Sequence, residues 1–206
     1  MAPRFIARQL SHPAGLAGRV VARLMNYHNA KLNAFAVYQL QVTPSDRILE
    51  IGFGGGVNLA ALLARAAFVA GVDRSEDMVA LAAARYSGPM KAGRAAFRVG
   101  SVEALPFESG IFKKVCTVNT VYFWSSLARA FAEIHRVLAP GGRAVVGFLP
   151  KQWMDRMRMP EDIFTTRISE EVIAAMSAAG FDGVSVERPS AETAWNVIVG
   201  TRRISS

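Results

Sequence analysis

Cysteine, early acidic residues and long apolar runs are what this sequence has least of. Cys116 is its single cysteine. That excludes an intramolecular disulfide and a multi-cysteine zinc site, and is compatible with a reducing, cytoplasmic setting. Uncharged stretches reach only about 14 residues, as in 51–64. A membrane-spanning helix needs about 20 apolar residues, so no such span is expected. The histidines, His12, His28 and His135, stand too far apart in sequence to read as a metal cluster. No aspartate or glutamate precedes Asp46. Arg4, Arg8, Arg19 and Arg23 interrupt every apolar stretch of that early region, so a secretory signal is not expected.

The chain has 206 residues, 51% hydrophobic and 19% charged. There is ample material for a core and no signature of disorder. One domain over 1–206 is expected. The net charge is +8. Residues 1–47 hold Arg4, Arg8, Arg19, Arg23, Lys31 and Arg47 against Asp46 alone, which makes +5 of that total. A basic surface attracts nucleic acid, anionic lipid or acidic ligands, and charge alone does not choose among them.

From Leu16, apolar residues recur at Val20 and Leu24, and at Val21, Met25, His28, Leu32 and Phe35. These spacings of three and four predict amphipathic helices within 16–42 and a helical cap over 1–44. Thr43-Pro44-Ser45-Asp46 then punctuates the chain. Beyond it, short apolar runs alternate with helical patterns. Strands are predicted at 47–53, 68–73, 95–101, 114–120, 143–149, 184–187 and 195–201. Helices are predicted at 58–67, 75–86, 126–138 and 169–179, with Ser75 as a cap and Pro140-Gly141-Gly142 as a stop. Such alternation argues for an α/β fold, a doubly wound, mostly parallel sheet with helices on both faces. The stretch 150–167 lacks a clean period and is the candidate lid or substrate loop.

The informative segment runs Ile48-Leu-Glu50-Ile-Gly52-Phe-Gly54-Gly-Gly56-Val57-Asn58. An apolar strand enters glycines and then a helix, so the backbone can approach a ligand with no Cβ intruding. A dinucleotide fingerprint needs glycine at position 57, which is Val57. The string is instead Glu-x-Gly-x-Gly-x-Gly. Here the sequence resembles the class I S-adenosylmethionine-dependent methyltransferases of small-molecule type. Further stretches resemble the same family in the same order: Gly71-Val-Asp73 closing the second strand, Ser101-Val-Glu-Ala-Leu-Pro-Phe107 after the third, and Phe131 to Arg143 at the fifth. The resemblance covers about 45–203, the expected cofactor-binding core. It implies a Rossmann-like, seven-stranded sheet with an antiparallel last strand.

The resemblance also implies roles. Gly52, Gly54 and Gly56 would let the backbone approach the methionine part of S-adenosylmethionine. Glu50 would anchor that loop and face the cofactor's amino end. Asp73, followed by Arg74, would hold the ribose, Met78 the adenine face, and Val102, between Ser101 and Glu103, the adenine edge. Asn119 and Thr120 would approach the methionine moiety. Ser101 and Lys113 depart from the family pattern, where aspartates are common.

The implied chemistry is an SN2 methyl transfer that leaves S-adenosylhomocysteine, with no metal. The expected acceptor is a small or medium-sized, largely apolar or aromatic molecule. Tyr27, His28, Tyr122, Trp124 and Trp153 are the candidate substrate residues, with Met157 and Met159 as an apolar wall. No general base is identified; His28 and Tyr122 are the candidates, although His28 also reads as a core histidine. Cys116 and His135 read as packing residues. Other readings are a phospholipid or quinone-precursor methyltransferase lying on an anionic membrane through its basic N-terminal helices, and a non-catalytic cofactor-binding partner. No nucleic-acid module is recognised, and a homodimer stays open.

Overall fold

The computed structural model describes residues 4–15 and 29–204. The expected helix around Arg19 and Arg23, and the candidates Tyr27 and His28, lie outside the described residues. Helix α1 covers Arg4–Ser11 and α2 Ala30–Gln39. There follow β1 (Arg47–Ile51), α3 (Leu59–Leu63), β2 (Phe68–Asp73), α4 (Glu76–Arg85), α5 (Ser87–Lys91), β3 (Ala95–Val99) and β4 (Phe112–Val118). The chain continues through α6 (Leu127–Val137), β5 (Leu138–Phe148), α7 (Lys151–Met154), α8 (Ser169–Ala178), β6 (Phe181–Glu187) and β7 (Asn196–Arg202). Tight 3-10 turns lie at Val121–Phe123 and Asp155–Met157.

The seven strands form one sheet in the order β3-β2-β1-β4-β5-β7-β6. Strands β1 to β5 pair in parallel, and β7 runs antiparallel to both β5 and β6. This is the mostly parallel sheet expected from the alternation of elements. From β1 the chain goes to β2 on one side, and later returns to β4 on the other side. That reversal opens a crevice beyond the carboxyl ends of β1 and β4, where such sheets bind ligands.

Strand β1 is buried at every residue but Arg47, because helices cover both sides of it. Side chains alternate along it. Leu49 and Ile51 join one core with Phe131, Ile134 and Phe148. Ile48 joins the other with Leu32, Leu59, Leu62 and Met78. Glu50 therefore faces the layer that α2 and α3 supply. Ser75 caps α4, accepting from Met78 N at 3.3 Å, and Glu76 and Asp77 suit its first turn. Ser126 caps α6 in the same way.

Several boundaries differ from the expectation. Pro140-Gly141-Gly142 does not separate helix from strand: β5 already begins at Leu138. Its pairing shifts from Phe112–Leu138 to Lys114–Arg143, so the Pro-Gly-Gly run is absorbed as a bulge inside the strand. β6 likewise starts at Phe181 rather than at 184, across an irregularity between Asp182 and Ser185. No helix among the described residues is long and apolar enough to cross a membrane.

Candidate active site

The turn from β1 into α3 forms the floor of the site. Gly52 has φ +66°, and a Cβ there would collide with Thr120 Cγ2. Thr120 in turn meets Thr117 Oγ1, and Thr117 Oγ1 donates to Ile51 O at 3.0 Å. The ends of β1 and β4 are thus locked together, and only glycine fits between them. Gly54 has φ +48° with open space where a Cβ would lie. Its N–H donates to Asp73 Oδ2 at 2.8 Å, and Ser75 N donates to Asp73 Oδ1 at 2.9 Å. Asp73 is consequently tied to the glycine turn. Burial raises its carboxyl from the ordinary range, against the lowering effect of the Ser75 and Gly54 N–H groups and of nearby His12.

Glu50 is 4% exposed. Its Oε1 accepts from Asn58 Nδ2 at 2.9 Å. Its Oε2 is buried and has no partner among the described residues. Burial, countered by the Asn58 bond and aided by the charge of Asp73, pushes this carboxyl up to about 8.

These groups open on a cavity of about 260 Å³. Its wall includes Glu50, Gly52, Gly54, Asp73, Arg74, Ser101, Val102, Asn119 and Thr120 from the expected cofactor set. Gly56, Met78 and Glu103 are not on it. Gly56 turns toward Leu59. Met78 is 1% exposed, inside the core beneath α4. Glu103 accepts from Ser125 Oγ, Ser126 N and Arg129 Nη2, which lowers its carboxyl despite some burial, and it clamps the start of α6.

The comparisons with known proteins bear on this arrangement. A family model described as a methyltransferase domain matches residues 49–146. The uncharacterized methyltransferase YdaC of Bacillus subtilis (strain 168) is 32% identical over 170 residues, which is 82% of this chain and 89% of that protein. The chain belongs to the class I S-adenosylmethionine-dependent methyltransferases. A ubiquinone/menaquinone biosynthesis C-methyltransferase of Geotalea uraniireducens (strain Rf4) is 31% identical over 128 residues. That match covers 60% of this chain and 54% of the relative, so this methyltransferase spans about half the length of the quinone enzymes it matches. Among solved structures, the fold is shared with a methyltransferase bound to the Haloferax volcanii Trm112 activator. The TM-score is 0.73 at 19% identity, over 92% of this chain and 96% of that one. It is also shared with a geranyl diphosphate C-methyltransferase of Streptomyces coelicolor A3(2), with TM-score 0.69 at 17% identity over 94% and 86%.

Another part of the methyltransferase cavity wall is aromatic and methionine-rich. Phe123, Trp124, Met154, Met157, Met159 and Phe164 form it. Trp124, Met157 and Met159 were expected there; Phe164 was not, nor were Leu10 and Pro13 from the N-terminal segment. Trp153 lies off the cavity wall, its ring under the Arg156 guanidinium, 4.2 Å away. On the one-turn helix α7, Met154 takes the inward position, buried at 5%.

Tyr122 lines the cavity, but its hydroxyl is committed to the chain. It accepts from Leu149 N at 2.6 Å and lies 3.0 Å from Leu149 O and 3.3 Å from Asn119 Oδ1. Burial pushes the phenol well above its ordinary range. The group is a strut between the 3-10 turn and the end of β5. It is too weak an acid to ionise near neutral pH. The segment 150–167 packs onto that turn. Thr165 N donates to Tyr122 O at 3.0 Å, and the Phe123 and Phe164 rings lie 4.8 Å apart.

Proposed function

We propose that this methyltransferase methylates a small or medium-sized, largely apolar or aromatic acceptor, held against Phe123, Trp124, Met154, Met157, Met159 and Phe164. The observation that carries the reading is the division of one cavity between buried carboxylates and an uncharged aromatic and methionine wall. The polar part suits S-adenosylmethionine. The orphaned Glu50 Oε2 offers an acceptor to an ammonium group. Asp73 keeps lone pairs for ribose hydroxyls after its two backbone bonds. The space over Gly54 admits close approach. Ser101 and Val102 would meet the adenine. Bound there, S-adenosylmethionine supplies an electrophilic sulfonium methyl group.

The chain's own residues then do the rest. Asn119 and Thr120, at the end of β4, stand between the two parts of the wall and orient what binds on either side. The apolar wall excludes water and leaves the acceptor's nucleophilic atom poorly solvated. Tyr122 keeps the 3-10 turn in place and moves no proton. The aromatic faces favour a flat or cationic acceptor.

A quinone precursor or phospholipid acceptor, met at an anionic membrane, is the second reading. It is favoured by the similarity to quinone C-methyltransferases, by the basic N-terminal region, and by Phe5 and Met157, which are 59% and 53% exposed. The test is a methyl-transfer assay with labelled cofactor. Its panel holds simple phenols, prenylated hydroquinones in anionic vesicles, phosphatidylethanolamine vesicles and an RNA oligomer. Transfer to a simple phenol supports the first reading, and transfer to a vesicle-borne hydroquinone or phosphatidylethanolamine the second; labelling of RNA alone refutes both.

A further inference from the structure

Three polar side chains lie inside the apolar layer between β1, α2 and α3. Asn33, Glu50 and Asn58 are 7%, 4% and 4% exposed. Left unpaired there, each would be costly. One nitrogen serves all three: Asn58 Nδ2 donates to Glu50 Oε1 at 2.9 Å and to Asn33 Oδ1 at 3.0 Å. Asn33 Nδ2 donates in turn to Asn29 O at 3.0 Å. The chain of bonds fixes every amide orientation, because a flipped Asn58 would set its oxygen against two acceptors. Asn58 occupies the residue before α3, yet its side chain makes no capping bond there. It is spent on Glu50 instead. Glu50 and Asn33 both line the cavity.

We infer that Asn58 and Asn33 are positioning residues: through Oε1 they hold the Glu50 carboxylate so that Oε2 meets the amino group of the cofactor. This rests on the role proposed for Glu50 above. Asn58 is the one donor to that carboxylate among the described residues, and it favours the charged form. The titratable groups that face Glu50 do not. Asp73 from β2 repels its charge, and Cys116 from β4 is a buried thiol itself pushed up by burial and by Glu50. From α2 and α3 the facing groups are the uncharged amides. Cofactor affinity therefore rises with pH as Glu50 ionises, and Asn58 sets where that rise begins.

The test is calorimetric titration of the full chain with S-adenosylhomocysteine from pH 6 to 9. The proteins are wild type, Asn58→Ala, Asn33→Ala, Glu50→Gln and the Asn58→Ala/Glu50→Gln pair. Asn58→Ala is expected to weaken binding about tenfold at pH 7, as befits a bond to a charged group, and to move the affinity midpoint to higher pH. Asn33→Ala does the same to about threefold. In the Glu50→Gln background, Asn58→Ala changes affinity by less than about twofold. Equal losses in both backgrounds, or an unmoved pH midpoint, would overturn the positioning role while leaving Glu50's intact. An undiminished affinity in Glu50→Gln would sink the role of Glu50 and this inference with it. Should Asn58→Ala fail to fold, the pH midpoint of Asn33→Ala decides alone.

Discussion

The two parts of the cavity wall are built in opposite ways. The part near Glu50 and Asp73 is assembled from strand ends and one glycine turn. Each carboxylate oxygen there is fixed by a backbone or amide bond, apart from Glu50 Oε2. The part near Phe123 and Phe164 is assembled from a 3-10 turn, a one-turn helix and an irregular segment, held by ring contacts and by Tyr122. A cofactor common to a family calls for the first construction, rigid and specific in its polar groups. An acceptor that differs between relatives suits the second, where methionines repack at little cost. Substitutions should therefore act separately on the two parts, and each experiment below can break that separation.

The largest effect is expected from Gly52→Ala. The added Cβ collides with Thr120 at a left-handed φ. Overpacking and backbone strain together cost about 2–5 kcal/mol. Thermal melting should drop by many degrees, with cofactor binding lost. Gly54→Ala is the control: it shares the left-handed φ, and so about 1–2 kcal/mol of backbone strain, but a Cβ there meets only open space; it should lose distinctly less stability than Gly52→Ala and bind cofactor less tightly. If the two variants melt alike, the locking of β1 to β4 through Thr120 is wrong.

Next comes the cost of the polar part itself. Glu50 ionises near 4.5 in the unfolded chain, and burial pushes it up to about 8 in the folded one. A raised carboxyl contributes stability that is fully present below pH 4.5 and is lost as pH rises through about 8. Cofactor-free Glu50→Gln should thus gain on wild type across that window, by an amount on the order of a few kcal/mol, while losing cofactor affinity. Melting curves of both proteins at a series of pH values measure it. A constant difference at every pH would mean that Glu50 is not held protonated.

The same contrast governs what could be read before folding. Strands β1 and β2 were legible because apolar runs end in Gly52 and Asp73, and both the spacing and the chemistry are local. Asn33 and Asn58 were not. One sits in an apolar helix and the other before a short one, and each makes sense only when α2 and α3 meet over β1. The wall residues Met154 and Phe164 belong to a stretch with no period, so nothing local separates them from Trp153, which turned outward under Arg156. The Pro-Gly-Gly run misled for a related reason: alone it is a helix stop, and only pairing with β4 makes it a bulge in β5.

Tyr122→Phe probes the joint between the two parts. It strands Leu149 N, which now donates at 2.6 Å, and a buried unpaired donor costs about 1–3 kcal/mol. Melting temperature should fall and cofactor affinity should hold. Turnover should fall only through a raised KM for the acceptor, as the 3-10 turn loosens. A kcat reduced by orders of magnitude at unchanged stability would instead make the phenol a participant in proton transfer.

The smallest effect is expected from Met157→Leu. Met157 lines the cavity yet is 53% exposed, so it stands at the rim. Exchange of one unbranched apolar side chain for a branched one of similar volume costs under about 1.5 kcal/mol even in a core, and less where half the side chain is already in water. Melting and cofactor affinity should be indistinguishable from wild type. The ranking of acceptors in the methyl-transfer panel should still move, because leucine cannot reshape itself around each ligand as a thioether chain does. Bulky acceptors should lose most. If cofactor affinity shifts instead, the two parts of the wall are mechanically coupled, and the rim residue acts through the 3-10 turn on Asn119 and Thr120 rather than on the acceptor.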